Sequence, residues 1–190
     1  MNIISGTARN LVLAELPDNG IRPTAIRARK ALFDSLGDFA GCGVLDLCAG
    51  SGALALEAAS RGARRVVMVE KHPQHCKIIQ SNIRLAEKTG IPGEIALIQS
   101  DILACCNYER DLLSSDYIFA DPPYAVSAEL LGKLLHDPLF LSALSNGSRV
   151  IWELPDMPGS AGDFLLATPD AENWQLRKLG GSTFWCREQL

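Results

Sequence analysis

Residues 43–52, Gly-Val-Leu-Asp-Leu-Cys-Ala-Gly-Ser-Gly, constrain the fold of this chain more than any other stretch. The apolar run 44–47 has the length and branching of a buried strand. It stops at a turn too tight for large side chains, Ala49-Gly50-Ser51-Gly52, and residues 53–59 after it are good helix formers. Strand, glycine turn and helix predict the first unit of a nucleotide-binding α/β fold, in which backbone N–H groups at a helix start face a ligand.

Strand and helix patterns alternate along the rest of the chain. Further strands are predicted at 65–70, 94–99, 117–120 and 149–154, with a closing hairpin of 174–179 and 183–187. Helices are predicted over 25–36, from Pro73 onward, and over 127–136 with a further helical turn to 145, whereas 155–170 reads as loop. This alternation predicts a mostly parallel seven-stranded sheet with right-handed crossovers, a C-terminal antiparallel hairpin and a short N-terminal β-hairpin extension over 3–13.

Length and composition restrict the class of protein. A length of 190 residues suits one domain, 1–190, in which 1–36 form an N-terminal hairpin and helix and 37–190 the main α/β body. Apolar residues make up 47% of the chain, yet no run approaches the ~20 that a membrane span needs, and the N-terminus lacks a secretory pattern. The six cysteines include no Cys-x-x-Cys pair. We therefore expect reduced thiols and a cytoplasmic protein with no membrane partner.

Charge is distributed unevenly. The net charge of −4 argues against a generic nucleic-acid binder. Residues 1–30, however, carry five basic side chains against two acidic ones. Such an N-terminal arm could bind a polyanion, and ordinary scatter of charge is the alternative.

Four polar or glycine positions fall where predicted strands end: Gly50, Glu70, Asp101 and Asp121. The carboxyl ends of parallel strands meet at one edge of a sheet, and ligands of open α/β sheets bind there. We therefore expect one shared site. Nearby His72, His75 and Cys76 lack a second ligand group at zinc spacing and are interpreted as helix-start residues.

The stretch Asp121-Pro122-Pro123-Tyr124 carries the chemistry. The prolines cannot donate backbone hydrogen bonds, so the segment is stiff and can present carbonyl acceptors beside the acid. Acceptors at one point suit an –NH₂ group, because accepting both of its hydrogens localises the nitrogen lone pair for nucleophilic attack. Tyr124 offers a flat face on which an unpaired base could stack.

Two motifs resemble the S-adenosylmethionine (SAM) site of Rossmann-like methyltransferases: Asp46-x-x-x-Gly50-x-Gly52, and a strand that ends in Glu70. In that family the glycine turn passes the methionine part of SAM and the acid accepts hydrogen bonds from the ribose. An acid at the position of Asp101 often bonds the adenine amine. The resemblance implies SAM as the cofactor, no metal, and these cofactor-binding residues: Asp46, Ala49, Gly50, Ser51, Gly52, Glu70, Lys71, Asp101 and Ile102.

The motif at 121–124 is similar to the Asp/Asn-Pro-Pro-Tyr/Phe motif of amino-methyltransferases. Together with Arg22-Pro23-Thr24, residues 45–54 and Ser60-Arg61-Gly62-Ala63, it makes the chain resemble the RsmD family, bacterial methyltransferases of guanine N2 in 16S ribosomal RNA. The resemblance implies an assembling small ribosomal subunit as partner, no DNA, and catalysis by Asp121, Pro122, Pro123 and Tyr124. It also gives the basic arm a role, with these RNA-contact candidates: Arg9, Arg22, Arg27, Arg29 and Lys30.

Some positions depart from the family pattern. Ile26 and Lys30 stand where acids are usual, and Cys48 and Ala55 replace the commoner Phe and Gly. Arg29 falls beside the apolar stripe of its helix, which allows it to point toward the domain.

Two alternative functions remain at this stage: an amino-methyltransferase of DNA adenine N6 or protein glutamine, and a non-catalytic RNA-binding assembly factor.

Overall fold

The computed structural model describes residues 1–17, 26–154 and 173–187. The strands in these ranges are β1 (Gly43–Leu47), β2 (Arg65–Glu70), β3 (Glu94–Gln99), β4 (Tyr117–Ala120), β5 (Arg149–Leu154), β6 (Trp174–Leu179) and β7 (Ser182–Arg187). The α-helices are α1 (Ile26–Leu36), α2 (Ala53–Ser60), α3 (Pro73–Glu87), α4 (Glu109–Leu113), α5 (Tyr124–Leu134) and α6 (Pro138–Ser145). A short 3₁₀ helix, Cys105–Tyr108, precedes α4.

The strands form one sheet in the order β3-β2-β1-β4-β5-β7-β6. Strands β1 to β5 pair in parallel, and β7 runs antiparallel between β5 and β6. The predicted α/β fold with a C-terminal antiparallel hairpin is confirmed. Because the strand order reverses between β1 and β4, their carboxyl ends border the crevice in which open α/β sheets bind ligands.

Helices cover both faces of the sheet. On one face α1, α2 and α3 pack against Val44, Met68 and Phe119. On the other face α4, α5 and α6 pack against Leu45, Val67 and Trp152. The central strand β1 is buried along its whole length, which explains its unbroken apolar run around a single acid.

The N-terminal segment, residues 1–17, lies on the buried helix α2. The Glu57 carboxylate accepts the backbone N–H groups of Ile4 (2.7 Å) and Ser5 (3.1 Å). Ser60 adds two contacts: its hydroxyl donates to the Ser5 carbonyl (2.6 Å) and accepts the N–H of Ala8 (2.9 Å). The segment that these bonds hold covers α2, and all eight residues of the helix are buried.

The predicted N-terminal hairpin is present in reduced form. Its two arms meet at a single antiparallel bridge, Asn2 with Val12, rather than in regular strands. Additional backbone bonds run from Ile3 N–H to the Leu11 carbonyl and from Leu13 N–H to the Met1 carbonyl. The arms therefore stay paired although the segment bends around α2.

Two helix boundaries differ from the prediction. Helix α5 begins at Tyr124, three residues early, because the Pro123 carbonyl accepts the N–H of Val126 (3.0 Å). The predicted helical turn to 145 is a separate helix, α6. Its N-cap Asp137 accepts the N–H groups of Leu139 (2.9 Å) and Phe140 (3.1 Å), and Pro138 follows at the first helical position.

The turn of the closing hairpin contacts α1. Gly180, at φ +58°, lies so near α1 that a Cβ there would be 2.5 Å from the backbone N and Cα of Ala28. The loop predicted at 155–170 lies outside the described residues. Within the described ranges, the helices are all too short or too polar to cross a bilayer.

Candidate active site

The turn after β1 uses backbone conformations that side chains rarely adopt. Cys48, Gly50 and Gly52 have φ angles of 61°, 58° and 79°. At Gly52 a Cβ would be 2.8 Å from the Met68 sulfur, so a side chain there would have to displace Met68 as well as adopt a positive φ. Cys48, the non-glycine residue among them, lies in the left-handed region, where strain often marks a functional site.

Glu70 braces this turn from the end of β2. One carboxylate oxygen accepts the Gly50 N–H (3.0 Å), and the other accepts the His72 N–H (2.8 Å). The side chain is buried, yet it forms part of the wall of a cleft. The acid therefore has two roles available, holding the turn and facing a ligand.

Asp46 holds the start of α2 and is outside the set of described residues that line the cleft. Its carboxylate accepts the N–H of Ala55 (3.1 Å), the residue that replaces the third glycine of the dinucleotide pattern. Burial raises the pKa of Asp46 to about 7. Its other oxygen has no hydrogen-bond partner within the described part of the chain.

The cleft runs along the carboxyl ends of β1, β2, β3 and β4 and has about 700 Å³ of space, open solvent included. It brings together seven predicted site residues: Gly50, Glu70, Lys71, Asp101, Ile102, Asp121 and Pro123. The other predicted residues Asp46, Ala49, Ser51, Gly52, Pro122 and Tyr124 are outside the set of described residues that line it. Ser51 instead uses its carbonyl to accept the side-chain amide of Asn82 (2.9 Å).

Asp101 stands at the far end of the cleft. One of its carboxylate oxygens accepts the N–H of Leu103 (3.0 Å), as an N-cap would, and the other lies 3.6 Å from Lys71 Nζ. Ile102 is buried beside it on the cleft wall. An acceptor next to an apolar wall suits the amine edge and the face of an adenine ring.

The motif at 121–124 forms the opposite wall. Asp121 follows β4 and is half-buried. Pro122 is buried and Pro123 caps α5, where its carbonyl is already bonded to Val126. Tyr124 is 36% exposed, and its hydroxyl donates to the Glu153 carboxylate (3.0 Å). The carbonyl of Pro122 is therefore the better candidate for an acceptor beside Asp121.

Several residues that line the cleft were given no ligand-binding role by the sequence, including Val69, His75, Ser100, Val126 and Leu130. His75 is buried on α3, with Nδ1 3.5 Å from a Glu70 carboxylate oxygen, too far for a good hydrogen bond. The sequence offered one signal that His75 lies at the cleft, namely its position in the first turn of α3. A helix that starts after β2 begins at the same edge of the sheet as the other site residues.

Acidic side chains outnumber lysine and arginine in the lining of the cleft, with Glu70, Asp101 and Asp121 against Lys71. Burial raises the pKa of the Cys48 thiol, and the neighbouring charges of Glu70, Asp46 and Asp121 add to this effect. The thiol is therefore protonated. An acidic wall suits a positively charged ligand group such as a sulfonium, and the apolar walls suit a base. The residues present thus fit SAM.

The candidate RNA-contacting residues have different surroundings. Arg9 and Arg27 are exposed, and exposed Lys30 pairs with Asp34 along α1. Arg29 is wholly buried, with its guanidinium on the Met1 sulfur and the Asn2 carbonyl, and burial lowers its pKa. The prediction that Arg29 contacts RNA is wrong, because the N-terminal segment encloses the side chain. Another candidate, Arg22, lies outside the described residues.

Comparison with known proteins agrees with this geometry. A family model described as "Conserved hypothetical protein 95" matches residues 1–162. "Ribosomal RNA small subunit methyltransferase D" of Haemophilus influenzae is 30% identical over 182 residues, 94% of this chain and 86% of that protein. A hypothetical protein of Thermus thermophilus superposes with a TM-score of 0.69 at 26% identity, covering 100% of this chain and 99% of that one.

A third comparison supports the fold. An RNA methyltransferase from Salinibacter ruber, solved in complex with S-adenosyl-L-homocysteine, has a TM-score of 0.57 at 21% identity. The match covers 88% of this chain and 93% of that one. The fold and the cleft thus define a methyltransferase of the Rossmann-like class. Within that class, the chain belongs to the RsmD family.

Proposed function

We propose that this protein transfers a methyl group from SAM to the exocyclic N2 amine of a guanine in 16S rRNA of the small ribosomal subunit. The main support for this proposal is that Asp121 lines the same cleft as Gly50, Glu70 and Asp101. A cofactor held by the last three would therefore lie beside an acceptor of amine hydrogens. The rRNA methyltransferase of Haemophilus influenzae described above supports the substrate class.

Each part of the cleft has a part of the cofactor to bind. The turn at Gly50 would pass the methionine portion, Glu70 would accept hydrogen bonds from the ribose hydroxyls, and Asp101 with Ile102 would hold the adenine. When bound, SAM supplies an electrophilic methyl group on a sulfonium. The acidic centre of the cleft favours that positive charge.

Asp121 and the Pro122 carbonyl would each accept one hydrogen of the guanine amine. This arrangement turns the nitrogen lone pair out of conjugation and toward the methyl group. A bond would form between the nitrogen and the methyl carbon as the carbon–sulfur bond breaks. S-adenosylhomocysteine would leave with that electron pair, and positive charge would develop on the nitrogen. The Asp121 carboxylate would stabilise that charge and could take the proton.

The target base must leave its stack to reach Asp121, since an amine in a duplex is covered by its neighbours. Tyr124, exposed at the start of α5, offers the face on which the base stacks. Arg9, Arg27 and Lys30 are exposed cations of the N-terminal part, residues 1–36. We assign that part to RNA contact and residues 37–190 to the catalytic core.

The test offers tritiated SAM with three acceptors: small ribosomal subunits from cells lacking the enzyme, naked 16S RNA, and DNA. Labelled nucleosides are then identified by mass spectrometry. We expect N2-methylguanosine from the subunits or their RNA. Label in DNA adenine or in protein glutamine would keep the chemistry and refute the substrate. Absence of label, with binding of S-adenosylhomocysteine measured separately, would favour the assembly-factor alternative.

The role of Asp121 has its own test. We expect Asp121→Ala to lower kcat at least about 100-fold while the affinity for S-adenosylhomocysteine stays nearly the same, because Asp121 holds the amine and not the cofactor. Asp121→Asn keeps an acceptor oxygen and should retain more activity. Glu129→Ala on the exposed side of α5 is the control and should behave as wild type. Wild-type turnover by Asp121→Ala would refute the assigned role.

A further inference from the structure

The sequence placed Glu153 within β5 and gave it no role. In the structure this acid is buried, and its carboxylate accepts the hydroxyl of Tyr124 at 3.0 Å. Residues Ala120 and Trp152 pair across β4 and β5, so Asp121 and Glu153 come next on neighbouring strands. Glu153 thus stands at the same edge of the sheet as Asp121.

The backbone around Glu153 is itself fixed. Its carbonyl accepts the hydroxyl of Ser127 on α5 (2.9 Å), and that hydroxyl accepts the indole N–H of Trp152 (2.8 Å). Both Ser127 and Trp152 are wholly buried. This chain of bonds ties β5 to the first turn of α5, where Tyr124 lies, so Glu153 is a rigid anchor.

Tyr124 needs such an anchor. An aromatic side chain that is 36% exposed can turn about two side-chain bonds. A base that stacks on a freely turning ring must first order it, which lowers affinity and misaligns the reacting amine. A hydroxyl held by a buried carboxylate keeps the ring in one place before the base arrives.

We propose that Glu153 is a positioning residue that holds the Tyr124 ring in the orientation on which the target base stacks. This proposal rests on the proposed function for the identity of the stacked base. The hydrogen bond between Tyr124 and Glu153 is observed independently of that function. Neither Tyr124 nor Glu153 is among the described residues that line the cofactor cleft. Their substitution should therefore change handling of the nucleic acid and leave cofactor binding unchanged.

The contact is tested first, without substrate. The chain has three tyrosines, and the other two, Tyr108 and Tyr117, are buried. Protein labelled with ¹³C at the tyrosine Cζ should give three resonances, of which Tyr124→Phe identifies one. We expect that resonance to shift in Glu153→Leu and to stay in place in Glu129→Leu. An unmoved Tyr124 resonance in Glu153→Leu would overturn the proposal.

The consequence is tested by a double-mutant cycle on whichever acceptor the wild-type enzyme labels. Tyr124→Phe and Glu153→Leu should each lower kcat/KM about tenfold. The double variant should also lose about tenfold, because both substitutions remove the same hydrogen bond. Glu153→Gln keeps an acceptor and should retain more activity than Glu153→Leu. The affinity for S-adenosylhomocysteine and the melting temperature, compared with those of Glu129→Leu, show whether each variant is folded.

A double variant that loses about a hundredfold would mean that Glu153 acts independently of Tyr124, and would overturn the proposal. Failure of the wild-type enzyme to label any acceptor counts against the proposed function instead. In that case the Tyr124 resonance still decides whether Glu153 holds the ring.

Discussion

Glu57 offers the sharpest test of how the N-terminal segment is held. Its side chain is wholly buried and accepts three hydrogen bonds, from the backbone N–H groups of Ile4 and Ser5 and from Nε of Arg61 (2.9 Å). Glu57→Ala leaves the two backbone donors without this acceptor. Arg61 loses less, because it is near the surface and Asp34 lies 3.7 Å away.

The size of the loss follows from these bonds. Hydrogen bonds to a charged group contribute about 1.5–3 kcal/mol each, and breaking a buried charged contact costs about 3–5 kcal/mol. We expect Glu57→Ala to lower the free energy of unfolding by about 3–5 kcal/mol, with a fall in Tm of about 10 °C for a chain of this length. Glu57→Gln keeps one acceptor oxygen and should lose roughly half as much.

The assay is urea unfolding followed by circular dichroism, with the midpoint and slope compared at constant pH. Glu129→Ala, which removes an exposed acid on α5, is the matched control and should leave the midpoint unchanged. Hydrogen exchange at the amides of Ile4 and Ser5 should speed up in Glu57→Ala. If Glu57→Ala unfolds at the same midpoint as the control, the carboxylate does not hold the segment.

Three further predictions concern other buried groups. Because burial raises the pKa of Asp46 from 3.8 to about 7, the folded state binds this proton more tightly than the unfolded chain. Its contribution to stability is complete below about pH 4, falls as the pH rises and is lost above about pH 7, so Asp46→Asn should flatten urea midpoints measured from pH 4 to 8. Gly180→Ala should lower the Tm more than Gly181→Ala, since both have positive φ but only Gly180 has the α1 backbone against it; equal losses would exclude that contact. Asn82→Ala should expose the amide of Ala14, which now donates to the Asn82 side chain (2.8 Å), to rapid hydrogen exchange detected by NMR, and continued protection would contradict this.

The shared edge of the sheet was predictable because strand ends are local features. Apolar runs that stop at Gly50, Glu70, Asp101 and Asp121 place these residues at one edge as soon as the strands are parallel, and all four line the cleft. The separate helix α6 was also signalled by Asp137 followed by Pro138, an N-cap and a first helical position. The prediction of a further helical turn to 145 did not use this signal, so the separate helix was missed.

Other features depend on contacts between distant segments. Helical periodicity placed Arg29 beside the apolar stripe, but its burial depends on Met1 and Asn2, which periodicity cannot locate. Glu153 read as one more strand residue, because its partner Tyr124 lies 29 positions earlier and reaches it only through the pairing of β4 and β5. The positions of Asp46 and Glu70 were predicted, whereas the hydrogen bonds that Glu70 accepts from the glycine turn and Asp46 from α2 required the folded backbone.

The close approach of Gly180 to Ala28 has a consequence for the order in which the protein matures. Helix α1, which displays Arg27 and Lys30, is translated early, yet the backbone that seats it is made about 150 residues later. We therefore expect the nascent chain to complete the glycine turn and its sheet neighbours before α1 is locked in place. The basic face of α1, which we propose contacts RNA, would then reach its final position only after β6 and β7 have joined the sheet.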